Sequence, residues 1–363
     1  MLALPMRFFL RLSCALLLAG CGQVSSPVDS GEAFGHDAGP TASTDAGYVY
    51  PPFSWPQADA GSPCTPTANA GLLSQVCLYD DIAARRLRPD VVEFTPTHPL
   101  WSDRAEKRRW VRLPAGTTVD TSEMDSWKFP VGAAFFKEFM LGDTLLETRM
   151  IRRTGPGAAD YEMIAFVWNA DGLDATAASA RVSNVNGTNH DVPSRAQCKE
   201  CHEGEAGRVL GFSALQLSGP GEGPRLFHLK KAGLLSNPPA ADHGFPVPGN
   251  ETEAFALGYL HSNCGPCHNP DGSAYWLVQM DLRVPVMDAT PEQTPTYLTT
   301  IGKRAQASFG TISRTRVTQA NLNESDLYLR MGNRGSISQM PPFVSEQVDQ
   351  VARARIADWI NGL

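Results

Sequence analysis

Cys198-Lys199-Glu200-Cys201-His202 and Cys264-Gly265-Pro266-Cys267-His268 repeat one arrangement, C-x-x-C-H, in a chain with eight cysteines. Two thiols three positions apart can each form a thioether to a vinyl group of one macrocycle. The adjoining histidine then lies under the iron as its proximal ligand. The spacing therefore predicts two covalently bound haem c groups, one on Cys198, Cys201 and His202, the other on Cys264, Cys267 and His268.

Other chemistries use parts of the same pattern. Cys-Gly-Pro-Cys is also a thioredoxin dithiol, but that site needs a strand before it, and here the helical stretch Thr252–His261 precedes it. Two C-x-x-C pairs could bind one zinc ion, yet the 62 residues separating Cys201 from Cys264 exceed zinc-ribbon spacing. Two local disulfides would leave the histidine after each pair unexplained.

Met340-Pro341-Pro342 offers the second iron a soft thioether donor on a stiff, extended loop. Met331 is the rival, but Leu327–Met331 reads as helical, where methionine is usually core. No Met-Pro-Pro lies between the two motifs, so the sixth ligand of the first iron is open among His228, His190, His243 and Met163.

The elements that must position these groups follow in order. Arg7 and Arg11 flank a short apolar run ending Leu18-Ala19-Gly20-Cys21, which reads as a signal peptide over 1–20 with a lipobox. It predicts lipidation of Cys21 and, because Gly22 is not aspartate, an outer-membrane lipoprotein facing the periplasm. Residues 21–62 are rich in Ser, Gly, Ala, Asp and Pro and read as a flexible linker. In an oxidising compartment Cys64 and Cys77 are expected to pair as a disulfide.

Over 63–175 the pattern becomes β-rich. Trp110–Leu113, Ala134–Phe139, Leu145–Arg152 and Glu162–Trp168 are separated by Gly/Pro/Asp turns, which predicts a small antiparallel sheet. Its aromatics are expected in the core, and Lys137, Glu138, Glu147, Arg149 and Arg152 on a wetted face. Residues 176–250 form the first haem-binding segment, with a short helix expected over Leu226–Leu235. In 251–363, Thr252 is placed to cap a helix leading to Cys264, and Ser345 to cap a terminal amphipathic helix through Ile360, with Gly362 just beyond it. Residues 286–325 read as an inserted loop region.

Pro99-Leu100-Trp101-Ser102-Asp103, Glu106-Lys107-Arg108-Arg109, Trp127–Gly132, Glu147-Thr148-Arg149 and Trp168-Asn169, all ahead of a C-x-x-C-H, give this order of features a likeness. Over about residues 75–363 it resembles a family of exported bacterial di-haem c-type cytochromes with an N-terminal β domain. The last segment resembles the class I cytochrome c fold. The expected class is α+β: a small antiparallel β domain followed by mainly α-helical c-type haem domains, the last cytochrome c-like.

The chain has 31 basic and 38 acidic residues, a formal net charge of −7 that becomes −9 once the leader arginines are removed. It has no basic patch for nucleic acid, and no G-x-S-x-G, P-loop or dinucleotide turn. The function expected is single-electron transfer between redox partner proteins in the periplasm, with the membrane met through the lipid anchor only. The alternative is a di-haem oxidoreductase of peroxidase type, with an open coordination site at the first haem.

Overall fold

The computed structural model describes residues 50, 52–56, 64–306 and 314–363. The leader, Cys21 and most of the linker lie outside the described residues. The described residues form one compact unit.

The first strands are β1 (Tyr79–Asp81) with β2 (Arg86–Leu87), an antiparallel pair. A six-stranded antiparallel sheet follows in sequence order: β3 (Val92–Glu93), β4 (Glu106–Arg112), β5 (Ala134–Leu141), β6 (Thr144–Arg153), β7 (Tyr161–Trp168) and β8 (Ala175–Ala177). Helices come after it: α1 (Arg195–His202), α2 (Leu226–Lys231), α3 (Glu251–Asn263), α4 (Tyr275–Val278), α5 (Pro295–Thr300), α6 (Asp326–Met331) and α7 (Gln350–Gly362). At 24% helix and 18% strand of the described residues, with the strands first and the helices after them, the architecture is mixed α+β.

Both faces of the sheet are covered, because period-2 alternation sends an apolar set to each side. Trp110, Phe136, Met150, Phe166 and Trp168 pack against Leu73, Leu78 and Tyr79 from the preceding segment. Val111 and Phe135 point the other way, into a cluster with Phe212, Leu226 and Leu229. Phe139 and Ala165 meet Val185 and Val192 on that same side. The wetted face expected for the sheet's charges is therefore not found. Glu138 and Glu147 are fully buried and Arg152 is 8% exposed. They are held instead in ion pairs, Arg85–Glu138 at 2.7 Å and Arg152–Glu162 at 2.7 Å.

The helical part has its own core, where Ala256 and Leu260 of α3, Met331 of α6, and Ile356, Trp359 and Ile360 of α7 meet. Two caps differ from the sequence expectation. Asn250 Oδ1, not Thr252, accepts from the first-turn N–H groups of α3. Asp349, not Ser345, caps α7 through Ala352 N, and Gly362 falls inside that helix. Tyr50, Phe53 and Trp55, at the end of the stretch read as linker, lie against the body: Tyr50 stacks on Phe227, and Phe53 and Trp55 pack on the Phe212 cluster. Cys64 and Cys77 form the expected disulfide.

Candidate functional site

The first motif occupies α1. Ser194 starts this helix with a reciprocal cap: its Oγ accepts from Gln197 N at 3.3 Å, and Gln197 Oε1 accepts from Ser194 N at 3.0 Å. Helical spacing then puts Cys198, Cys201 and His202 on one face, at i, i+3 and i+4. His202 Nδ1 lies 2.7 Å from Arg208 O. A carbonyl can only accept, so Nδ1 carries the proton and Nε2 presents a lone pair. Burial pushes the His202 pKa down to about 3, with Lys137 and Arg149 acting in the same direction. This imidazole is neutral, with its free nitrogen oriented by the backbone, the arrangement that metal-binding histidines require.

The second motif begins where α3 ends, with Cys264 as its C-cap. A turn follows in which Cys267 N and His268 N both donate to Cys264 O, at 3.1 and 2.9 Å. Burial raises the Cys264 thiol to about 12 and lowers His268 to about 4. His268 Nδ1 is buried with no hydrogen-bond partner among the described residues. Its partner atom is thus not fixed as that of His202 is. Met340 lies half-buried in the loop between α6 and α7 and donates its N–H to Arg330 O at 3.1 Å. The Arg330 charge also acts to lower the His268 pKa, after burial and the charge of Arg316. Met331 is buried in the helical core.

The fold brings the two motifs into contact. Cys201 Sγ is 3.8 Å from Cys267 Sγ, too long for a disulfide, and Cys267 Sγ reaches Glu200 O at 3.3 Å. Ser273 Oγ donates to the same carbonyl at 3.0 Å. Arg283 clamps the junction through Gly204 O and Glu205 Oε1. Gly204 makes this approach possible, since a Cβ there would collide with Pro266 O and crowd Asn269 Nδ2 and Gly272 Cα. The four motif cysteines are free thiols. Among the described residues no three His, Cys, Asp or Glu side chains converge as a metal cluster.

Two adjoining cavities lie near the motifs, the smaller against the first and the larger against Pro266 of the second. One, of about 50 Å³, is lined by Cys198, His202, Met163, Lys137 and Arg149. The other, of about 250 Å³, is lined by His98, His261, Asp125, Glu205 and Pro266. They share Arg109, Lys137, Val209 and Leu210. Of the four residues considered for the first sixth ligand, only Met163 lines the cavity of His202. His190 Nε2 is 2.7 Å from Glu147 Oε1, His228 Nδ1 accepts from Arg225 N at 3.0 Å, and His243 is exposed.

His98, His261 and Lys137 were not singled out as site residues from sequence. Burial lowers His98 to about 4 and His261 to about 3, so both are neutral. His261 Nδ1 accepts from Val284 N at 3.1 Å, leaving the ring proton on Nε2. The signal for Lys137 was present in Phe135-Phe136-Lys137-Glu138-Phe139, where alternation puts Lys137 on the face of Phe135 and Phe139. No protein family, curated protein or solved structure matches the chain.

Proposed function

We propose that the chain is an exported di-haem c-type cytochrome that passes single electrons between redox partner proteins. The observation that carries this reading is the contact of the two C-x-x-C-H motifs, whose second cysteines lie 3.8 Å apart although 66 positions separate them. Two redox groups held there would be neighbours, as a relay requires.

The residues fit the group chemically. Cys198 and Cys201, and likewise Cys264 and Cys267, are the thiols for thioether formation, and all four are unpaired. His202 Nε2 and a His268 ring nitrogen would be the iron donors. Met340 would supply a further ligand to the second iron, with Met331 kept in the core. Haem supplies one-electron exchange at iron; the protein contributes ligand identity, burial and hydrogen bonding, which set its potential. The Arg208 carbonyl holds the His202 ring in its donor tautomer. The apolar cluster of α3, α6 and α7 fixes the second motif, and α3 packed on α7 supports a cytochrome c-like reading of 251–363.

The small cavity beside His202 would hold only part of a macrocycle, and a ring on Cys198 and Cys201 would extend toward the larger space that shares Lys137 and Arg109. The Cys64–Cys77 disulfide supports an oxidising compartment. Outer-membrane anchoring through Cys21 completes the proposal; among the described residues no helix is long and apolar enough to cross a membrane.

The test is expression with a haem-attachment system, followed by denaturation and intact mass. Two covalent haems are expected, falling to one in Cys198→Ser/Cys201→Ser and to one in Cys264→Ser/Cys267→Ser. Recovery of the bare polypeptide would refute the reading. In the intact protein Cys21→Ser is expected to move the protein from membrane to soluble fraction.

A further inference from the structure

Arg109, Lys137 and Arg149 are direct cross-strand neighbours on β4, β5 and β6. Alternation puts all three on the sheet face that meets α1, and all three line the cavity of Cys198 and His202. Like charges directly opposite one another on a sheet repel. Arg109 is buried and Lys137 and Arg149 are half-buried, and charge taken from water into an apolar setting carries a desolvation penalty unless an anion answers it.

The lining of that cavity contains no carboxylate. Arg149 is answered from beside it by Glu147, which also holds His190. Lys137 is not answered in that way. Among the described residues its amine makes a cation–π contact with Phe139, 5.8 Å to the ring centroid, and no hydrogen bond or ion pair. The remaining lining is mostly apolar, including Phe135, Ile151, Met163 and Leu210. A cavity with an apolar body and a cationic end suits a flat apolar ligand that carries carboxylates.

The direction of the row matters as well. Strands lie about 4.8 Å apart, so the row runs about 10 Å from Arg149 to Arg109. The charge of Arg149 acts on both thiols, Cys198 and Cys201, and Lys137 acts on His202 ahead of Arg149. Lys137 and Arg109 lie further along, where the small cavity meets the larger one. On a haem the vinyl groups and the two propionates occupy opposite edges. Thioethers at Cys198 and Cys201 would hold the vinyl edge at the Arg149 end, and the propionate edge would then lie along the row.

We propose that Lys137, with Arg109 beside it, is the receptor for the propionate carboxylates of the haem on Cys198 and Cys201. The assignment rests on the di-haem reading above. It makes the sheet part of the haem site: the β domain supplies the counter-charge that orients the first haem, and that charge tunes its potential.

The test uses the intact, haem-loaded protein and reads the two midpoint potentials by spectroelectrochemical titration. In Lys137→Gln one potential is expected to fall, because a removed cation no longer disfavours the ferric state, while the other stays in place. Lys137→Arg is expected to retain the parent value. If Lys137→Gln does not yield folded protein, Arg109→Gln is read in the same way. Unmoved potentials in a neutral variant with both haems attached would overturn the assignment and leave the di-haem reading intact.

A changed ligand-field spectrum of the first haem in Lys137→Gln would also overturn it, by putting the amine on the iron. The carboxylate could instead come from solution, in which case added benzoate would shift a potential of the parent. Insensitivity to benzoate is expected when propionates already occupy the row. Absence of any covalent haem in the parent would remove the di-haem reading first, and this assignment with it.

Discussion

Glu147 lies fully buried between Arg149 and His190, under the helix that carries the first motif. Burial alone would raise its carboxyl pKa, but attraction to Arg149 and the hydrogen bond from His190 overcome this and leave it below 4.5. A depressed folded-state pKa contributes stability above the unfolded value of about 4.5, and that contribution is lost as pH falls through the folded value. Acid should therefore destabilise the parent in this range, and Glu147→Gln should flatten part of that slope. At neutral pH the same substitution strands the Arg149 charge and should lower stability by about 3–5 kcal/mol in urea unfolding. Glu147→Gln/Arg149→Met, which removes both charges, should recover much of the loss; failure to recover would mean that packing and not charge pairing dominates. At this scale the C-x-x-C-H pattern is visible within five residues, and the helix and turn that carry it follow from its neighbours. The roles of Glu147, Arg149 and Lys137 were not legible. An alternating charged strand reads as wetted only when one sheet face meets water, and the covering layers come from segments as distant as Leu73 and Leu226.

The element that best shows what local sequence determines is α7. Its apolar repeat gives the buried face, with Ile356, Trp359 and Ile360 in the core. Its start was less legible, since Ser345 and Asp349 are both good capping residues four positions apart. Tertiary contact decides between them: Ser345 Oγ donates to Asp103 Oδ1 at 2.9 Å, which leaves Asp349 Oδ1 to accept from Ala352 N at 2.9 Å. Asp349→Ala should lower stability by about 1 kcal/mol through the lost cap. Trp359→Ala should lower it by about 3–5 kcal/mol, because a fully packed indole leaves a cavity and Tyr297 loses the indole N–H donated to its hydroxyl at 3.0 Å. Thermal unfolding of the two variants checks the order; a larger effect for the cap would contradict the packing seen around α3 and α7. The helix expected over Leu226–Leu235 stops at Lys231 because Gly233 takes a positive φ of 68°.

Over the whole molecule, segments far apart in sequence must close on one another before either motif has its environment. The Cys64–Cys77 bridge ties down the segment that covers one sheet face, and Cys64→Ser/Cys77→Ser should lower stability by about 3 kcal/mol on loop-closure entropy. The junction of the motifs depends on Gly204, which no local pattern marks as special; its smallness matters only because Pro266 and Gly272 arrive from 60 and more residues away. The proposed function gives that junction an optical signature. Haems on Cys201 and Cys267 would have adjacent edges, and neighbouring chromophores with strong transitions couple. The Soret circular dichroism of the parent should then be two-signed, and removing the second haem with Cys264→Ser/Cys267→Ser should leave a band of one sign. Gly204→Val forces the two backbones apart while leaving every ligand in place. It should shrink the two-signed amplitude with both haems still attached, and lower stability by about 1–3 kcal/mol through overpacking. A one-signed parent spectrum would put the two haems too far apart to couple, and with that the relay drawn from the Cys201–Cys267 contact would no longer follow.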